Sequence, residues 1–497
     1  MNYASTRNSS LKESSAHAIV KGLSDEGGLY VPENIPAFTE EEIKALCGKS
    51  YTERAFAVFS KFLTDFTEEE LRRCVESAYN SKNFDTDNIA EISKLKNGEY
   101  ILELWHGPTC AFKDMALQIL PYLLTTSAKK TVDGKHIAIL VATSGDTGKA
   151  ALEGFKDVCG TSISVFYPED GVSPMQKRQM TTQEGENVNV CAVKGNFDDC
   201  QNGVKAIFTD KDIEKTLAER NILLSSANSI NWGRLAPQIV YYVSTYVQLV
   251  ADGEIDFGDK VNIVVPTGNF GNILAAYYAK RMGIPVNKLI CASNSNNVLT
   301  DFINTGVYDR NRKFYTTVSP SMDILISSNL ERMLYHLTDE NDALINDWFG
   351  KLKTDGRYEV NGEVKNKLGE LFCAGCCSDD ETKATIRATF ENEGYLLDTH
   401  TAVAVKVYED YKAKTGDDTK TIIASTANPY KFVRAVYEAV GGDAQGDEFD
   451  IIDKLEAKTG TKIPAPLAAT KNKKIRFTEC VEKQNMSGVV LDFLKNR

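Results

Sequence analysis

The sequence contains no run of about 18 apolar residues, the length that a membrane-spanning helix requires. Basic residues are also scarce relative to acidic ones, since 57 Lys and Arg against 69 Asp and Glu give a formal net charge of -12. This balance disfavours a nucleic-acid-binding surface, and no basic or basic-aromatic stripe compensates for it. The N-terminus, MNYASTRNSSLKESSAHAIV, lacks the basic and then apolar segments of a signal peptide. We therefore expect a cytoplasmic protein whose partners are neither membranes nor nucleic acids.

Cysteine is sparse and odd in number, 11 in 497 residues, which favours free thiols over a disulfide framework. The one dense cluster is Cys373, Cys376 and Cys377 in FCAGCCSDD. A zinc site would need a second pair of ligands at the right spacing, and none follows. We expect these cysteines to be small buried side chains at a turn, and we expect no metal.

The chain is longer than the size at which one hydrophobic core stops growing, so two or three domains are expected. From His136 onward, short β-branched runs alternate with helical patterns, as in repeated βαβ units. The predicted strands are HIAILVAT, SISVFYP, VNVCAV, NILLSS, VNIVVPT, KLICAS and TIIAST. The predicted helices include KAALEGFKDV, DDCQNGVKAIF, NWGRLAPQIVYYVSTYVQLV and NILAAYYAKRM. The pattern predicts an α/β fold with open, mostly parallel sheets and helices on both faces.

The places where this alternation starts and stops suggest domain boundaries. Residues 1–95 carry acidic helical stretches such as TEEEIKALCG and no strong strand signal, which indicates a mostly helical N-terminal subdomain. The other predicted units are a large α/β domain of residues 96–135 and 236–440 with a helical insertion at about 319–395, a small α/β domain of residues 136–235, and a C-terminal appendage of residues 441–497.

Lys113 lies in ELWHGPTCAFKDMALQILPYLL, a segment whose helical pattern is apolar almost all round. The apolar positions at helical spacing are Phe112, Met115, Ala116, Ile119, Leu120, Leu123 and Leu124. Burial of an amine lowers its pKa and makes it a nucleophile, and Schiff-base formation with a carbonyl cofactor is the best-known use of such a lysine. The alternative is a lysine that extends its amine to water from the first helical turn, beside Asp114.

A glycine-rich loop of Gly268, Asn269, Phe270, Gly271 and Asn272 separates the predicted strand VNIVVP from a predicted helix. Backbone N–H groups at such a junction, together with the helix N-terminus, can hold a phosphate without a cation. The loop is neither a Walker A motif nor a dinucleotide fingerprint, and an ordinary tight turn is the alternative.

Two further polar loops follow predicted strands. Ser144, Gly145, Asp146 and Thr147 follow IAILVAT and could bind a carboxylate or cap the next helix. Ser425 and Thr426 follow TIIA. In open parallel sheets ligands bind outside the carboxyl ends of the strands, so one crevice could collect all three loops.

These residues together resemble the threonine synthases, pyridoxal-phosphate enzymes of the tryptophan-synthase-β fold type (fold type II), and specifically their longer microbial and fungal branch. The resemblance covers most of the chain, and the ordered set of motifs is specific although each one alone is weak. The motifs are YASTR, GLSDEGGLYVP, HGPTCAFKD, ATSGDTG, VSPMQKRQM, NSINWGR, VPTGNFGN, SPSMDILISSNLER, STANPYKF and PAPL.

The resemblance implies that Lys113 forms the Schiff base with pyridoxal 5'-phosphate and later moves protons. It implies that the loop from Gly268 to Asn272 is the phosphate cup of the cofactor. It also implies that Thr426, helped by Ser425, is the hydroxyl that faces the pyridine nitrogen, a weaker partner than an aspartate would be.

On the substrate side, the resemblance implies that Ser144, Gly145, Asp146 and Thr147 grip the amino-acid carboxylate. The motifs VSPMQ and SINWGR supply further candidate substrate contacts, which are Ser173, Gln176, Asn231 and Arg234. Arg234 is the strongest phosphate candidate because a planar fork suits phosphate, and the alternative is a structural cation on a buried helix.

Two positions depart from the common family pattern. Asn428 in STANP replaces a histidine, which puts any acid-base role there in doubt. Lys149 after SGDTG replaces a small residue and adds a cation near a candidate anion loop, where we expect it to be solvated and inert.

The reaction that the resemblance implies is conversion of O-phospho-L-homoserine and water to L-threonine and phosphate, the last step of threonine biosynthesis. A serine or threonine dehydratase or a cysteine synthase on the same fold is an alternative, although those substrates lack a γ-phosphate and need no arginine such as Arg234. A non-catalytic relative that binds phosphorylated metabolites would be expected to have lost the lysine, and Lys113 is present. Monomer and homodimer both remain open.

Overall fold

The computed structural model describes residues 1–132, 134–143, 145–170, 172–495 and 497. The strands are β1 Tyr3–Ser5, β2 Asn8–Glu13, β3 Tyr30–Pro32, β4 Glu91–Lys94, β5 Tyr100–Glu103, β6 His136–Ala142, β7 Thr161–Pro168, β8 Val188–Lys194, β9 Ile222–Ser225, β10 Val261–Pro266, β11 Val286–Ser293, β12 Val307–Asp309, β13 Arg357–Glu359, β14 Phe372–Cys376, β15 Thr421–Ser425 and β16 Cys480–Glu482.

The α-helices are α1 Ser15–Lys21, α2 Glu40–Leu46, α3 Tyr51–Phe62, α4 Glu68–Ala78, α5 Asp114–Leu117, α6 Leu120–Thr131, α7 Asp146–Phe155, α8 Pro174–Thr181, α9 Phe197–Thr209, α10 Lys211–Glu219, α11 Trp232–Ala251, α12 Gly271–Arg281, α13 Val298–Thr305, α14 Leu330–Leu337, α15 Asp342–Thr354, α16 Gly362–Leu371, α17 Asp379–Glu393, α18 Thr399–Thr415, α19 Val433–Ala439, α20 Glu448–Thr459, α21 Ala465–Thr470 and α22 Met486–Phe493. Short 3-10 turns span Pro320–Met322, Pro429–Phe432 and Lys483–Asn485. None of the helices in these described ranges combines the length and apolar character needed to cross a membrane.

Two central sheets organise the fold. The larger has the strand order β14-β11-β10-β15-β5-β4, in which β4 alone runs antiparallel to its neighbour. The smaller has the order β16-β8-β7-β6-β9 and is parallel throughout. The predicted α/β fold with mostly parallel sheets is confirmed, and each of the seven runs named as strands forms one. The reason is that most of these runs are long and β-branched enough to be buried on both faces of a parallel sheet, whereas β9 is a four-residue strand at the edge of the small sheet.

One continuous core joins the N-terminal helices to both sheets. It contains Tyr3 and Val58 near the N-terminus, Ile139 and Val265 from the two sheets, and Tyr242 from α11, all of them at most 1% exposed. Helix α11 is buried along almost its whole length, as its apolar sequence predicts.

Several elements differ from the expectation. The N-terminal region adds a three-stranded antiparallel sheet, β2-β1-β3, to its helices. The segment predicted as a helical insertion contributes β14 to the edge of the large sheet, and the tail contributes β16 to the edge of the small one. These strands are short, and pairing with a distant strand rather than local pattern creates them. The domain boundaries remain a prediction.

The cysteine cluster is a correction. Cys373 and Cys376 lie on the edge strand β14 rather than at a turn, and Cys376 is exposed, while Cys377 follows the strand and is buried. The cysteines differ in exposure because successive side chains of this edge strand point to opposite faces of the sheet. All eleven cysteines have free thiols in the structure.

The predicted continuous helix around Lys113 is also a correction, because the segment is divided into α5 and α6. Pro121 has no N–H group, so the carbonyl of Leu117 cannot receive the usual helical hydrogen bond. That carbonyl instead faces α7, where a Cβ at Gly154 would lie 2.0 Å from its oxygen. The break between α5 and α6 therefore requires a glycine at position 154 in the facing helix.

Replacing Gly154 with alanine should lower the free energy of unfolding by at least about 2 kcal/mol, because the new methyl group meets a backbone carbonyl that cannot rotate away. Gly350 in α15 is the matched control, since nothing lies within 4 Å of a Cβ there and alanine is the better helix former. The Gly350→Ala variant should gain about 0.5 to 1 kcal/mol. Urea unfolding of both variants measures the difference, and equal effects would contradict the proposed close contact.

Candidate active site

The predicted loops meet because the strands before them are neighbours. Strands β10, β15 and β5 lie side by side and parallel, with Val264 level with Ile423 and Ser425 level with Glu103. Their carboxyl ends therefore lie at one edge of the sheet. The glycine-rich loop, the STANP hydroxyls and the segment that leads to Lys113 all start from this edge, where open parallel sheets bind ligands.

A backbone ladder fixes Lys113 beside the end of β15. The Phe112 N–H donates to the Thr426 carbonyl at 2.8 Å, and the Asn428 N–H donates to the Cys110 carbonyl at 3.1 Å. Ala111 and Ala427 form the bridge between them. Lys113 is thus held one residue away from the backbone partner of Thr426, at the start of α5.

The Lys113 side chain is 12% exposed, which rules out an amine extended into water. Its Nζ lies 4.0 Å from Asp146 Oδ2 and 4.6 Å from the centre of the Phe112 ring. Burial lowers the pKa of Lys113 to about 8, while Asp146 opposes this shift and the cations of Arg234 and Lys431 add to it. About a tenth of the amine is therefore neutral and nucleophilic at pH 7, far more than for an ordinary lysine.

The glycine-rich loop has the geometry of an anion cup. Phe270 adopts the left-handed conformation, with φ of 60°, and caps α12 without a side-chain hydrogen bond. The Asn272 side chain is 8% exposed, and its Oδ1 accepts from Tyr241 at 2.7 Å, whereas its Nδ2 has no hydrogen-bond partner in the described structure. Orphaned buried donors at a helix N-terminus favour an anionic ligand.

The cup is braced from outside by the segment before α14. The Asn329 N–H and Nδ2 both donate to the Asn269 carbonyl, at 3.0 and 3.1 Å, and Ser327 Oγ donates to the Gly268 carbonyl at 2.9 Å. A Cβ at Gly268 would lie 2.6 Å from the Ser321 carbonyl oxygen, so this position requires glycine. These supporting residues were missed, although the motif SPSMDILISSNLER contains them.

Ser425 and Thr426 differ in their surroundings. Ser425 Oγ accepts from Trp105 Nε1 and from Thr401 Oγ1, each at 3.0 Å. Thr426 is 6% exposed and uses its carbonyl for the ladder to Phe112. The structure therefore holds the Ser425 hydroxyl within the protein, and Thr426 is the residue whose backbone pairs with the segment that leads to Lys113.

The SGDTG loop starts at the carboxyl end of β6 in the small sheet. Ser144 lies outside the described residues. Gly145 has φ of 147°, and a Cβ there would lie 2.4 Å from the Gln176 side chain, so a glycine is required. Thr143 Oγ1 holds the loop by accepting from the Gly145 and Gly148 N–H groups. Thr147 is half-buried in the first turn of α7.

Gln176 and Ser173 form a capping box at the start of α8. The Ser173 hydroxyl accepts from the Gln176 N–H at 3.2 Å, and Gln176 Nε2 donates to Asp146 Oδ1 at 3.1 Å. Gln176 thus belongs to the site through Asp146. The hydroxyl of Ser173 stabilises a helix end, a role that sequence reasoning did not assign to it.

Asn231, one of the predicted substrate contacts, caps α11. Its Nδ2 donates to the carbonyls of Ile19 and Ser226, at 2.9 and 3.2 Å, and its Oδ1 accepts from the Gly233 N–H at 2.8 Å. Both amide hydrogens are used inside the protein. Asn231 therefore orients the helix that carries Arg234, and its contact with substrate stays a prediction.

Arg234 is a buried cation that lacks a carboxylate partner among the described residues. Its Nη1 donates to the Ala227 carbonyl at 2.6 Å, and its Nε has no hydrogen-bond partner in the same part of the chain. Burial lowers the pKa of Arg234 to about 10. An unpaired buried charge is costly, so this arrangement favours a role in binding an anion over a structural one.

Two departures from the family pattern are resolved. Lys149 is buried and donates to Glu153 Oε2 at 2.8 Å, so the expectation that it is solvated was wrong. Asn428 caps the following 3-10 turn, accepting from the Tyr430 N–H at 3.0 Å. These contacts give Lys149 and Asn428 structural roles and do not indicate a role in proton transfer.

Lys431 was missed by sequence reasoning. It is fully buried and lies 3.0 Å from Asp146 Oδ1. A lysine in the apolar stretch PYKFVRAV, just beyond a predicted strand end, is the same signal that identified Lys113.

Known protein families cover the chain in order. The family described as "Threonine synthase N terminus" matches residues 2–79, "Pyridoxal-phosphate dependent enzyme" matches residues 86–345, and "Threonine synthase, C-terminal" matches residues 401–488. The second match includes Lys113 and the cup, and the third includes Thr426.

Individual relatives agree with this. Threonine synthase-like 1 of Homo sapiens is 44% identical over 435 residues, which are 86% of this chain and 58% of that protein, so the chain spans less than two thirds of its length. Threonine synthase of Pseudomonas aeruginosa is 38% identical over 94% of this chain and 97% of the relative. The crystal structure of PLP-bound threonine synthase from Brucella melitensis has a TM-score of 0.88 and 36% identity, and it covers 100% of both chains. The ordered matches and the relatives of equal length establish that the chain belongs to the threonine synthase family.

Proposed function

We propose that this chain is a pyridoxal-phosphate-dependent lyase that converts O-phospho-L-homoserine and water to L-threonine and phosphate. The observation that carries the proposal is a buried lysine of lowered pKa, Lys113, at the same sheet edge as an anion cup and a strand-end hydroxyl. No single one of these features is specific. Their juxtaposition supplies what a cofactor of this kind needs, a carbonyl-reactive amine, a phosphate site and a ring partner.

The residues of the cup fit the cofactor phosphate. The uncapped first turn of α12 and the unpartnered Asn272 Nδ2 would both donate to phosphate oxygens. Thr426 would face the ring nitrogen, with Ser425 holding the strand end through Trp105 and Thr401. Pyridoxal phosphate, when bound, supplies the electron sink that stabilises the charge developing at the substrate Cα.

The substrate would lie between the two sheets. Arg234, an unpaired buried cation, would bind the leaving phosphate. The N–H and hydroxyl groups of the loop of Gly145, Asp146 and Thr147, with Ser144 included by resemblance, would receive the substrate carboxylate. Gln176 and Ser173 would hold this loop in position against the start of α8. Arg234 would thus supply a positive charge that no carboxylate among the described residues balances, which suits a substrate that carries a phosphate.

Lys113 would move the protons. Its Nζ would remove the proton from the substrate Cα and help remove a Cβ proton as phosphate leaves from Cγ. Protons would then be delivered to Cγ, which becomes the methyl group of threonine, and to Cα, while water adds at Cβ. The Lys113 pKa of about 8 lets it serve as base and then as acid near neutral pH.

Product analysis of the yellow holoenzyme tests the proposal. With O-phospho-L-homoserine we expect phosphate and threonine in equal amounts, measured by a phosphate assay and amino-acid chromatography. L-Serine and L-threonine are the comparison substrates, because a dehydratase would release pyruvate or 2-ketobutyrate from them. Keto acid without phosphate would replace the proposal with a dehydratase, and a protein that stays colourless with pyridoxal phosphate would overturn it.

The finer predictions belong to the same proposal. The small-molecule partner would be O-phospho-L-homoserine, and the location would be the cytoplasm. Gel filtration of the holoenzyme distinguishes a monomer from a homodimer.

A further inference from the structure

Lys431 is a fully buried lysine that ties together three segments of the chain. It lies in the 3-10 turn after β15, and its side chain is 0% exposed. Its Nζ donates to the Thr109 carbonyl at 2.9 Å and to Gln179 Oε1 at 3.3 Å, and it lies 3.0 Å from Asp146 Oδ1. These three oxygen partners fix the position of the Lys431 ammonium group.

Asp146 divides its two oxygens between two lysines. Oδ1 receives Lys431 and Gln176 Nε2, the latter at 3.1 Å, whereas Oδ2 faces Lys113 Nζ at 4.0 Å. Although burial opposes the shift, Lys431 and then Lys113 hold the pKa of Asp146 well below its usual range. The carboxylate is therefore ionised, and its nearer cation is Lys431.

The charge of Lys431 decides what Asp146 does to Lys113. A buried carboxylate with Lys113 as its one cation would pair with that amine and keep it protonated. With Lys431 in place, the negative charge of Asp146 is already balanced by a nearer cation. The positive charge of Arg234 also lowers the pKa of Lys113, and Asp114 raises it by a smaller amount. Among the described residues, Asp146, Arg234, Lys431 and Asp114 are the charged side chains that most affect the pKa of Lys113.

We propose that Lys431 is a positioning residue that holds Asp146 by Oδ1 and thereby keeps this carboxylate from pairing fully with the Lys113 amine, so that Lys113 loses its proton more easily. The proposal rests on the proposed function, in which Lys113 must attack a carbonyl and accept a proton. Lys431 affects the Lys113 amine through Asp146, because its own Nζ contacts Asp146 Oδ1 and not the amine.

The protonation of Lys113 can be measured without catalysis. The full-length chain freed of cofactor is labelled with acetic anhydride between pH 6 and 10, and mass spectrometry quantifies acetylation at Lys113 relative to the exposed Lys211. In the parent chain we expect a midpoint near pH 8. Lys431→Met should raise the midpoint by about one unit or more, because Asp146 then pairs with Lys113. Lys431→Arg should keep it close to the parent value.

Asp146→Asn gives the opposite sign and guards against misfolding of the first variant. Removing the carboxylate while keeping Lys431 should lower the midpoint for Lys113, and the double variant Lys431→Met with Asp146→Asn should return it toward the parent value. A midpoint that is unchanged in Lys431→Met, or that rises in Asp146→Asn, would overturn the proposal. Because no substrate is used, this outcome is independent of whether O-phospho-L-homoserine is the substrate.

Discussion

Replacing Lys113 with alanine is expected to reduce phosphate release from O-phospho-L-homoserine by about 10²- to 10⁴-fold. The two other buried lysines among the described residues are already engaged, because Lys431 is held by Asp146, Thr109 and Gln179, and Lys149 by Glu153. Cofactor should still bind through the cup around Asn272, although without a covalent bond. Steady-state phosphate release and the visible spectrum measure the two effects separately.

Borohydride reduction provides the decisive control for Lys113. In the parent enzyme it should attach the cofactor to the peptide that contains Lys113, and in Lys113→Ala the cofactor should leave the protein on denaturation. Lys211→Ala, whose side chain is 87% exposed, should behave like the parent in both tests. Residual turnover above a hundredth of the parent rate would mean that another residue moves the protons.

Replacing Arg234 with methionine is expected to lower kcat/KM for O-phospho-L-homoserine by about 30- to 5000-fold, the effect of removing one partner of a buried charge pair. The same change should leave the unfolding temperature of the cofactor-free protein unchanged or higher. The reason is that an unpaired buried guanidinium, with its Nε unsatisfied, costs stability until an anion arrives. Kinetics and thermal unfolding of one preparation measure both effects.

Arg54 is a matched control for Arg234, since it is also buried but donates to the Leu46, Cys47 and Ser244 carbonyls. Arg54→Met should lose stability and keep the kcat/KM of the folded enzyme. Inorganic phosphate should raise the unfolding temperature of the parent more than that of Arg234→Met. Loss of stability in Arg234→Met without loss of kcat/KM would assign Arg234 a structural role.

The strands that could be predicted are those that carry their own signal. β6, β7 and β10 are β-branched runs of six to eight residues, buried along nearly their whole length. Strand β5, with the sequence YILE, has four residues and is too short to show a period, although it lies inside the large sheet. Strand β14 forms only because β11 offers it an edge.

The site divides in the same way. Lys113, the cup from Gly268 to Asn272 and Thr426 could be found from the sequence because each is an unusual residue type at a local junction between a strand and a helix. Asn231 and Ser173 were assigned to substrate from their motifs, but their side chains cap helices. A capping role cannot be told from a ligand role by residue type, since the same polar atoms serve both.

By itself the sequence determined the order of the main strands and helices, the glycines that their turns require, and the lysine on which the chemistry is proposed to depend. These are local properties, set by hydrophobic period and backbone conformation. Only the tertiary structure decided that Asp146 lies between Lys113 and Lys431 and that Arg234 is buried without a carboxylate partner among the described residues. Such contacts join residues far apart in the chain, and their energies depend on distances and burial that exist only once both sheets have packed.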